Sequence, residues 1–488
     1  MQRRHFLKHA VVSGLATALG PAILRAEKNK PQPNIIYFNV DDLGWTDTGF
    51  MGSRFYETPN IDRLAAEGVV FTNAYAPAAN CAPSRACCLT GQYGPRHGIY
   101  TVGKSERGSA EYRKLIPVPN RTVLPDEAIT IAEALKTGGY VTCHAGKWHL
   151  GDDPRTQGFD VNFGGSTYGL PRSYFSPYQN KYLPDGPEGE YLTDRLTSDV
   201  LTFLEQVRNR PFFLHFAFYS VHTPIQPKPE KAAPFKLKKG DLQHHHADYA
   251  GMIASVDENI GRVMQKLDEL GLSENTLILF CSDNGGVFRI TRQYPLRAGK
   301  GSYYEGGIRE PMIVRWRGVA PAGRLCAVPV SGIDFYPTFL DAAGIPVPRG
   351  KVLDGLSLMS LIQQQGTQTE RPLFWHFPVY LQAGNGETRD PLFRTRPGSA
   401  VRFGPWKLIE YFEDGAIELF NLESDIGEHH NLSDLVPEKA RELNQLLRAW
   451  REDVKAPVPT RKNPAYNEAA EKQAINQFFF KKNKENEK

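Results

Sequence analysis

The sequence predicts an α/β protein, with a large, mainly parallel sheet sandwiched by helices and a smaller C-terminal subdomain holding an antiparallel sheet. Three observations carry this expectation. Apolar runs of strand length alternate with segments of helical period up to about Pro348, the pattern of a sheet covered on both faces. Beyond that point the runs shorten, alternate apolar with polar, and are separated by turn residues. The 488 residues are 41% hydrophobic and 11% aromatic, with 44 Gly and 36 Pro, a composition that packs a core with many defined turns and excludes global disorder.

Residues 1–26 read as a signal peptide. Arg3-Arg4-His5-Phe6-Leu7-Lys8 precedes a weakly apolar run from Ala10 to Leu24 that is interrupted by Ser13, Gly14, Thr17, Gly20 and Pro21. A bilayer-spanning helix needs ~20 apolar residues, so this run is a signal core and not a stable membrane anchor. The paired arginines resemble the twin-arginine export signal of bacteria. The expectation is passage through the twin-arginine translocase, cleavage near Ala26, and a periplasmic or extracellular protein.

Pro33-Asn34 opens the first strand, Ile35 to Val40, which ends in Asp41-Asp42. Thr58-Pro59-Asn60 then leads into a helical stripe of Ile61, Leu64, Ala65 and Val69, closed by Gly68. Further buried strands are expected at Phe212 to Phe218, Thr276 to Cys281 and Met312 to Trp316. Helical segments fall between them at Ile129 to Leu135, Leu192 to Val207 and Tyr249 to Leu270. The last carries Ile253, Val256, Ile260, Val263, Met264 and Leu267 on one face. An α/β domain over 27–370 is thus followed by a subdomain over 371–455. Its strands are read at Ala400–Phe403, Trp406–Ile409 and Ile417–Phe420, and its helix, Pro437 to Val454, is apolar at Leu443, Leu446, Leu447 and Trp450. Residues 456–488 are Pro-rich, then rich in Lys, Asn and Glu, and are expected to form an extended polar tail.

Charge and cysteine usage narrow the function. Fifty-eight Lys+Arg against 54 Asp+Glu leave +4, and only the tail concentrates any excess, so no nucleic-acid partner is expected. The six cysteines, at 81, 87, 88, 143, 281 and 326, are too few for a disulfide scaffold, and no C-x2-C pair offers a zinc site.

The informative segment is Cys81-Ala82-Pro83-Ser84-Arg85-Ala86-Cys87-Cys88-Leu89-Thr90-Gly91. A phosphatase C-x5-R loop is excluded because position 87 is cysteine, and a redox C-x-x-C pair because Ser84 holds the needed place. A buried structural cysteine before a turn stays open at this level. Asp41 and Asp42 end the first strand, and Asp283-Asn284-Gly285-Gly286 follow the Thr276 strand, the end at which α/β sheets place ligands. Four oxygen-bearing side chains without a paired His or Cys suit Ca²⁺ or Mg²⁺. Taken singly, each pair is equally a helix cap or a turn.

The Cys81 run resembles the signature of type I, formylglycine-dependent sulfatases, C-x-P-S-R-x-x-x-L-T-G, and matches it at every fixed position. Gly146-Lys147-Trp148-His149-Leu150-Gly151 matches the family's G-K-W-H-L-G run, His222 in Val221-His222-Thr223-Pro224 its histidine near the ester oxygen, and Lys300 in Arg297-Ala298-Gly299-Lys300 its second sulfate-binding lysine. The likeness extends from about Pro33 to Asn463 without departure at a catalytic position. It implies an alkaline-phosphatase-like fold and an arylsulfatase-like sulfuric ester hydrolase. It also implies a metal site of Asp41, Asp42, residue 81, Asp283 and Asn284, holding Ca²⁺ or Mg²⁺.

The resemblance further implies that Cys81 is oxidised to formylglycine by a maturation enzyme and that its hydrate is the nucleophile. The metal and Arg85 would stabilise that hydrate, and Asp283 would assist its deprotonation. Lys147 and Lys300 would neutralise the sulfuryl oxygens, His222 would protonate the departing alcohol, and His149 would take the proton whose loss expels sulfate. The expected substrate is a sulfated carbohydrate, cut at a chain end or as a small oligosaccharide, or an aryl sulfate. The aromatic runs Tyr168 to Tyr178 and Phe374-Trp375-His376-Phe377 are either a sugar subsite or interdomain packing. His244, His245 and His246 lie outside any family motif and read as loop residues. Two rival readings remain: a phosphodiester or phosphonate monoester hydrolase of the same superfamily, and a non-catalytic binder of sulfated glycans that keeps Cys81 as a thiol.

Overall fold

The computed structural model describes residues 31–365, 370–384 and 387–486, with side chains to residue 480. The twin-arginine-type segment and its cleavage point lie outside the described residues. Strands β1 (Asn34–Val40), β2 (Val69–Tyr75), β3 (Val141–Gly146), β4 (Val161–Phe163), β5 (Phe212–Ala217), β6 (Thr276–Ser282), β7 (Arg309–Arg315), β8 (Arg324–Cys326) and β9 (Val330–Ser331) form one sheet. Its spatial order is β4, β3, β5, β1, β6, β7, β2, β8, with β9 beside β2. β1 sits centrally, parallel to both β5 and β6, while β7 runs antiparallel to β6 and to β2.

Alternation along β1 divides the core. Ile36, Phe38 and Val40 point to the face covered by helices Leu192–Val207 and Ala247–Glu269, where Leu196, Val200, Ile253 and Ile260 meet them. Ile35 and Tyr37 point to the other face, under helices Cys81–Thr90, Ile131–Lys136 and Phe335–Ala343. A mainly parallel sheet buried on both faces is the predicted architecture, and each strand expected within the large domain is present.

Within the large domain some details differ from expectation. Val69 is not the last residue of a helical stripe: the helix ends at Ala66 and Val69 opens β2, because pairing with Met312–Val314 and with Arg324–Cys326 claims the segment. β3, β4, β8 and β9 have no counterpart in the sequence reading. The Cys81 run forms a helix with every residue buried, so it has no polar face to give it a helical period.

The C-terminal part contains β10 (Leu373–Phe377), a short ribbon of β11 (Leu381–Gln382) and β12 (Phe393–Thr395), then β13 (Gly398–Phe403), β14 (Trp406–Tyr411) and β15 (Ile417–Asn421). β10, β13, β14 and β15 make an antiparallel sheet. Helix Pro437–Asp453 closes it, with Leu443, Leu447 and Trp450 against Val401, Leu408 and Leu419. A buried ionic bridge ties it to the large sheet: Lys407 Nζ lies 2.9 Å from Glu305 Oε1 and 2.9 Å from Glu428 Oε1.

The last segment is not the extended polar tail expected. Residues Glu468–Asn486 form a helix. Asn467 Oδ1 accepts from Ala470 N at 3.1 Å as a cap, and Glu471 accepts from Arg396 Nη2 at 2.6 Å and from Tyr466 OH at 2.7 Å. Capping and charge pairing, with no amphipathic stripe, hold its first turns. Among the described residues no helix is long and apolar enough to cross a membrane.

Candidate active site

β1 and β6 run in parallel with Val40 opposite Ser282, so Asp41-Asp42 and Asp283-Asn284 leave the same edge of the sheet side by side. Asp42 takes a left-handed backbone (φ 61°), a conformation unfavourable for most side chains and recurrent at functional sites. Its N–H donates to Asp283 Oδ1 at 3.2 Å, and Asn284 Nδ2 donates to Asp42 Oδ1 at 2.8 Å.

Cys81 starts the helix Cys81–Thr90 and is buried beside this edge. Its Sγ is 4.0 Å from Asp42 Oδ1 and 2.9 Å from Lys300 Nζ. Arg85, one helical turn on, places Nε and Nη2 each 2.9 Å from Asp283 Oδ2 and donates from Nη1 to the Lys147 carbonyl at 2.9 Å. Its guanidinium is therefore occupied in holding Asp283 and the Lys147 main chain.

Lys147 owes its place to Gly146. A Cβ at residue 146 would lie 2.0 Å from the Ala217 carbonyl oxygen, and φ there is 93°. Only glycine lets β3 turn against β5 at this point. Lys147 N then donates to Ala217 O at 2.7 Å, and its ammonium lies 2.5 Å from Asp41 Oδ2, both side chains fully buried. His149, also left-handed (φ 63°), has an unpartnered buried Nδ1 and packs against Gly169, where a Cβ would come within 2.3 Å of the ring. His222 donates from Nδ1 to the Thr223 carbonyl at 2.8 Å, which leaves Nε2 facing Asp42 Oδ2 at 3.6 Å. Lys300 Nζ is 2.6 Å from Asp42 Oδ1.

The electrostatics follow from burial and these neighbours. Burial raises the Cys81 thiol to about 12 although Lys147 and Lys300 pull the other way. Burial also favours neutral Asp42 and Asp283, but the neighbouring cations together outweigh it, Lys300 foremost at Asp42 and Arg85 at Asp283, so both stay below the usual carboxylate range. Asp41 is pushed up to about 8, by burial first and then by the charge of Asp283. Burial depresses His222 to about 4, partly opposed by Asp42, and holds His149 well below the ordinary imidazole value with help from Lys147.

The donor set fits a hard cation. Asp41, Asp42, Cys81 and Asp283 each offer a ligand atom, all within 4.8 Å of one another. Asp41 Oδ1 and Asn284 Oδ1 are buried without a hydrogen-bond partner, the state of an oxygen shaped to meet an ion. All the residues singled out in the sequence thus converge: Asp41, Asp42, Cys81, Arg85, Lys147, His149, His222, Asp283, Asn284 and Lys300.

Other candidates are resolved individually. Phe374, Trp375 and Phe377 are packing: Phe374 stacks on Trp450 at 4.7 Å and Trp375 Nε1 donates to Ala76 O at 2.9 Å. Tyr174 and Tyr178 are buried, whereas Tyr168 and Leu170 flank Gly169 at 47% and 49% exposure beside His149. His244 lies in the loop before helix Ala247–Glu269, as expected, and is buried there, with Nε2 2.8 Å from Arg292 O, Nδ1 3.2 Å from Ser53 Oγ and its ring 4.5 Å from Tyr56.

The family described as Sulfatase matches residues 33–345, and that described as N-sulphoglucosamine sulphohydrolase, C-terminal, matches residues 299–454. A sulfatase of Formosa agariphila is 34% identical, covering 86% of this chain and 88% of its own. The N-acetylgalactosamine-6-sulfatase of Homo sapiens is 31% identical over 88% of this chain and 87% of its own. The crystal structure of Ps i-CgsB in complex with k-i-k-neocarrahexaose superposes with a TM-score of 0.71 at 32% identity, over 86% of this chain and 93% of that one.

Proposed function

The chain belongs to the sulfatase family, and on that premise we propose that it hydrolyses sulfate monoesters of carbohydrates, using residue 81 matured to formylglycine and a divalent cation. The observation that carries this reading is the meeting of Cys81 Sγ with Lys300 Nζ at 2.9 Å inside a group of buried carboxylates. A sulfate monoester is anionic and repels nucleophiles, so its cleavage needs concentrated positive charge around the reacting oxygen.

Asp41, Asp42, Asp283 and Asn284 would hold the cation, Ca²⁺ or Mg²⁺, which when bound supplies additional neutralisation of the sulfate oxygens. Oxidation of Cys81 supplies an oxygen nucleophile in place of sulfur. Lys147 and Lys300 set two ammonium groups where negative charge grows on the sulfuryl oxygens. Arg85 is a positioning residue: it keeps Asp283 ionised, the state needed for a cation ligand and for a proton acceptor.

His222 has its Nδ1 committed to Thr223, so Nε2 is the atom that handles the proton of the leaving oxygen. In the free site it is neutral. An arriving sulfate offsets Lys300 and Lys147, raises its basicity, and lets it carry the proton to the departing alcohol. His149, neutral with Nδ1 unpartnered, accepts the proton whose loss accompanies sulfate release.

Cys81 is only 2% exposed, so a formylglycine-generating enzyme reaches it before the chain folds. That order suits a twin-arginine substrate, which crosses the membrane folded, and supports a periplasmic or extracellular location.

The test is the mass of the tryptic peptide carrying Cys81, from protein made in a bacterial host with the maturation enzyme, together with sulfate release from sulfated monosaccharides. Replacing CH₂SH by CHO removes about 18 Da, or about 0 Da net when hydrated. Turnover accompanying that mass supports the reading. A thiol at residue 81 with sulfated-glycan binding and no turnover favours a binder, and a higher kcat/KM for aryl phosphodiesters than for aryl sulfates favours a phosphodiesterase.

A further inference from the structure

Two arginines from separate segments, Arg394 and Arg107, meet at the ribbon beside Lys300, with Arg289 within electrostatic reach of Arg394. Arg394, on β12, packs its side chain over Gly301: a Cβ there would meet Arg394 Cδ at 3.0 Å and Nη1 at 3.6 Å. Its Nη1 lies 3.5 Å from the Lys300 carbonyl and its Nε donates to Ala383 O at 3.2 Å. The guanidinium is thus next to the main chain of the lysine whose Nζ touches Cys81.

Arg107 reaches the same ribbon from a loop of the large domain, donating from Nε to Gln382 Oε1 at 2.9 Å. The loop is seated there because Gly108 lies against Phe393, where a Cβ would be 2.6 Å from the ring. Arg289 lies on the turn that follows Asp283-Asn284 and is exposed. Arg394 is close enough to feel the charges of Arg107, Arg289 and Asp42, and burial with the Arg107 charge lowers its pKa from the ordinary arginine value.

Among the described residues, none of these three guanidinium groups forms an ion pair with a carboxylate. Three like charges, one of them half-buried and bonded only to carbonyls, repel one another and cost solvation. An anion placed among them relieves both terms, and an arginine fork suits the paired oxygens of a sulfate or carboxylate.

We propose that Arg394, backed by Arg107 and Arg289, binds a second anionic group of the substrate, so that the enzyme selects a sulfate ester whose own or neighbouring sugar carries another sulfate or a carboxylate. The inference rests on the sulfatase reading of the adjoining site for its geometry, and deepens it by naming the substrate class. Arg394 Nη1 sits at the main chain of Lys300 and Lys300 Nζ at Cys81, so the two anions would be held about a lysine side chain apart, the scale of neighbouring substituents on one sugar or its neighbour.

Calorimetric titration of the whole protein with three probes tests this: N-acetylgalactosamine 6-sulfate, N-acetylgalactosamine 4,6-disulfate, and a 6-sulfated disaccharide whose second sugar is glucuronate. Wild type is expected to bind at least one doubly charged probe roughly 10- to 100-fold more tightly than the single sulfate, and which one does so identifies the second anion. Arg394→Gln is expected to reduce that ratio to within about threefold, and Arg394→Lys to keep part of it. Arg107→Gln serves as the second variant if Arg394→Gln does not fold.

Equal affinities of wild type for all three probes, including no binding of any, overturn the proposal. So does a preference that survives Arg394→Gln, or a variant that weakens every probe alike, which would mean Arg394 acts only through Lys300. A preference lost in Arg394→Gln by a protein that releases no sulfate leaves the second-anion site standing and removes the hydrolase reading instead.

Discussion

Lys300 Nζ donates to Cys81 Sγ at 2.9 Å while lying 2.6 Å from Asp42 Oδ1, so one ammonium touches both the residue proposed as nucleophile and a proposed cation ligand. Burial alone would lower the pKa of Lys300, but Asp42 and then Cys81 hold it above the ordinary lysine value. The charge is therefore permanent across the working pH range.

Lys300→Ala removes that charge and leaves Asp42 without its main partner. Sulfate release is expected to fall by roughly 10²- to 10³-fold in kcat, the loss typical of one transition-state donor. Lys300→Arg should recover a part, because charge returns in a wider shape. Initial rates on one sulfated sugar check both.

His222→Ala is expected to slow sugar sulfates by roughly 10²- to 10⁴-fold. Aryl sulfates, whose leaving oxygens need little protonation, should lose far less. A plot of log kcat against leaving-group pKa should become steeper in the variant; an unchanged slope would remove His222 from the role of proton donor.

Chelation is expected to abolish sulfate release and lower the thermal midpoint, since Asp41, Asp42 and Asp283 then keep only Lys147, Lys300 and Arg85 as partners. Adding back Ca²⁺ or Mg²⁺ separately identifies the ion by which one restores the midpoint. Asp42→Asn should no longer respond to either.

Asp257 offers a pH test away from the catalytic groups. From the middle of helix Ala247–Glu269 its Oδ1 accepts from the main-chain N–H groups of Asn60 and Ile61 at the start of helix Pro59–Ala66. Burial raises its pKa from 3.8 to about 6 despite these bonds. An acid whose folded pKa lies above its unfolded one stabilises the fold fully below the unfolded value and loses that contribution as pH rises through the folded value. Between pH 4 and pH 7.5, the stability of wild type minus that of Asp257→Asn is therefore expected to fall by roughly 2 kcal/mol. Denaturant unfolding of both proteins at the two pH values measures it, and a flat difference would refute the assignment.

The legibility of these features in the sequence follows the range of the interactions behind them. The Cys81 run, the paired Asp41-Asp42 and the Lys147-Trp148-His149 segment are contiguous, so chemistry could be read from neighbours in the chain. Helix Leu192–Val207 was bounded correctly because its apolar positions repeat at helical spacing, and β1 because its run is apolar on both faces.

Features made by contacts between distant segments left no such trace. Val69 looks helical from its spacing to Leu64 and Ala65, and only its pairing with β7 and β8 makes it a strand. The helix Cys81–Thr90 is buried on all sides, so it has no polar stripe to announce it. The final helix is held by Glu471 on Arg396, 75 residues away.

Sequence alone determined the fold class, the family and which side chains are proposed to carry the chemistry, because local periodicity and contiguous motifs encode them. Tertiary structure decided which oxygens lack partners, which His222 nitrogen faces Asp42, and that Arg107 and Arg394 meet at one ribbon. Those properties depend on distances between residues far apart in the chain, and the backbone sets them only when the sheet and the C-terminal ribbon close around the site.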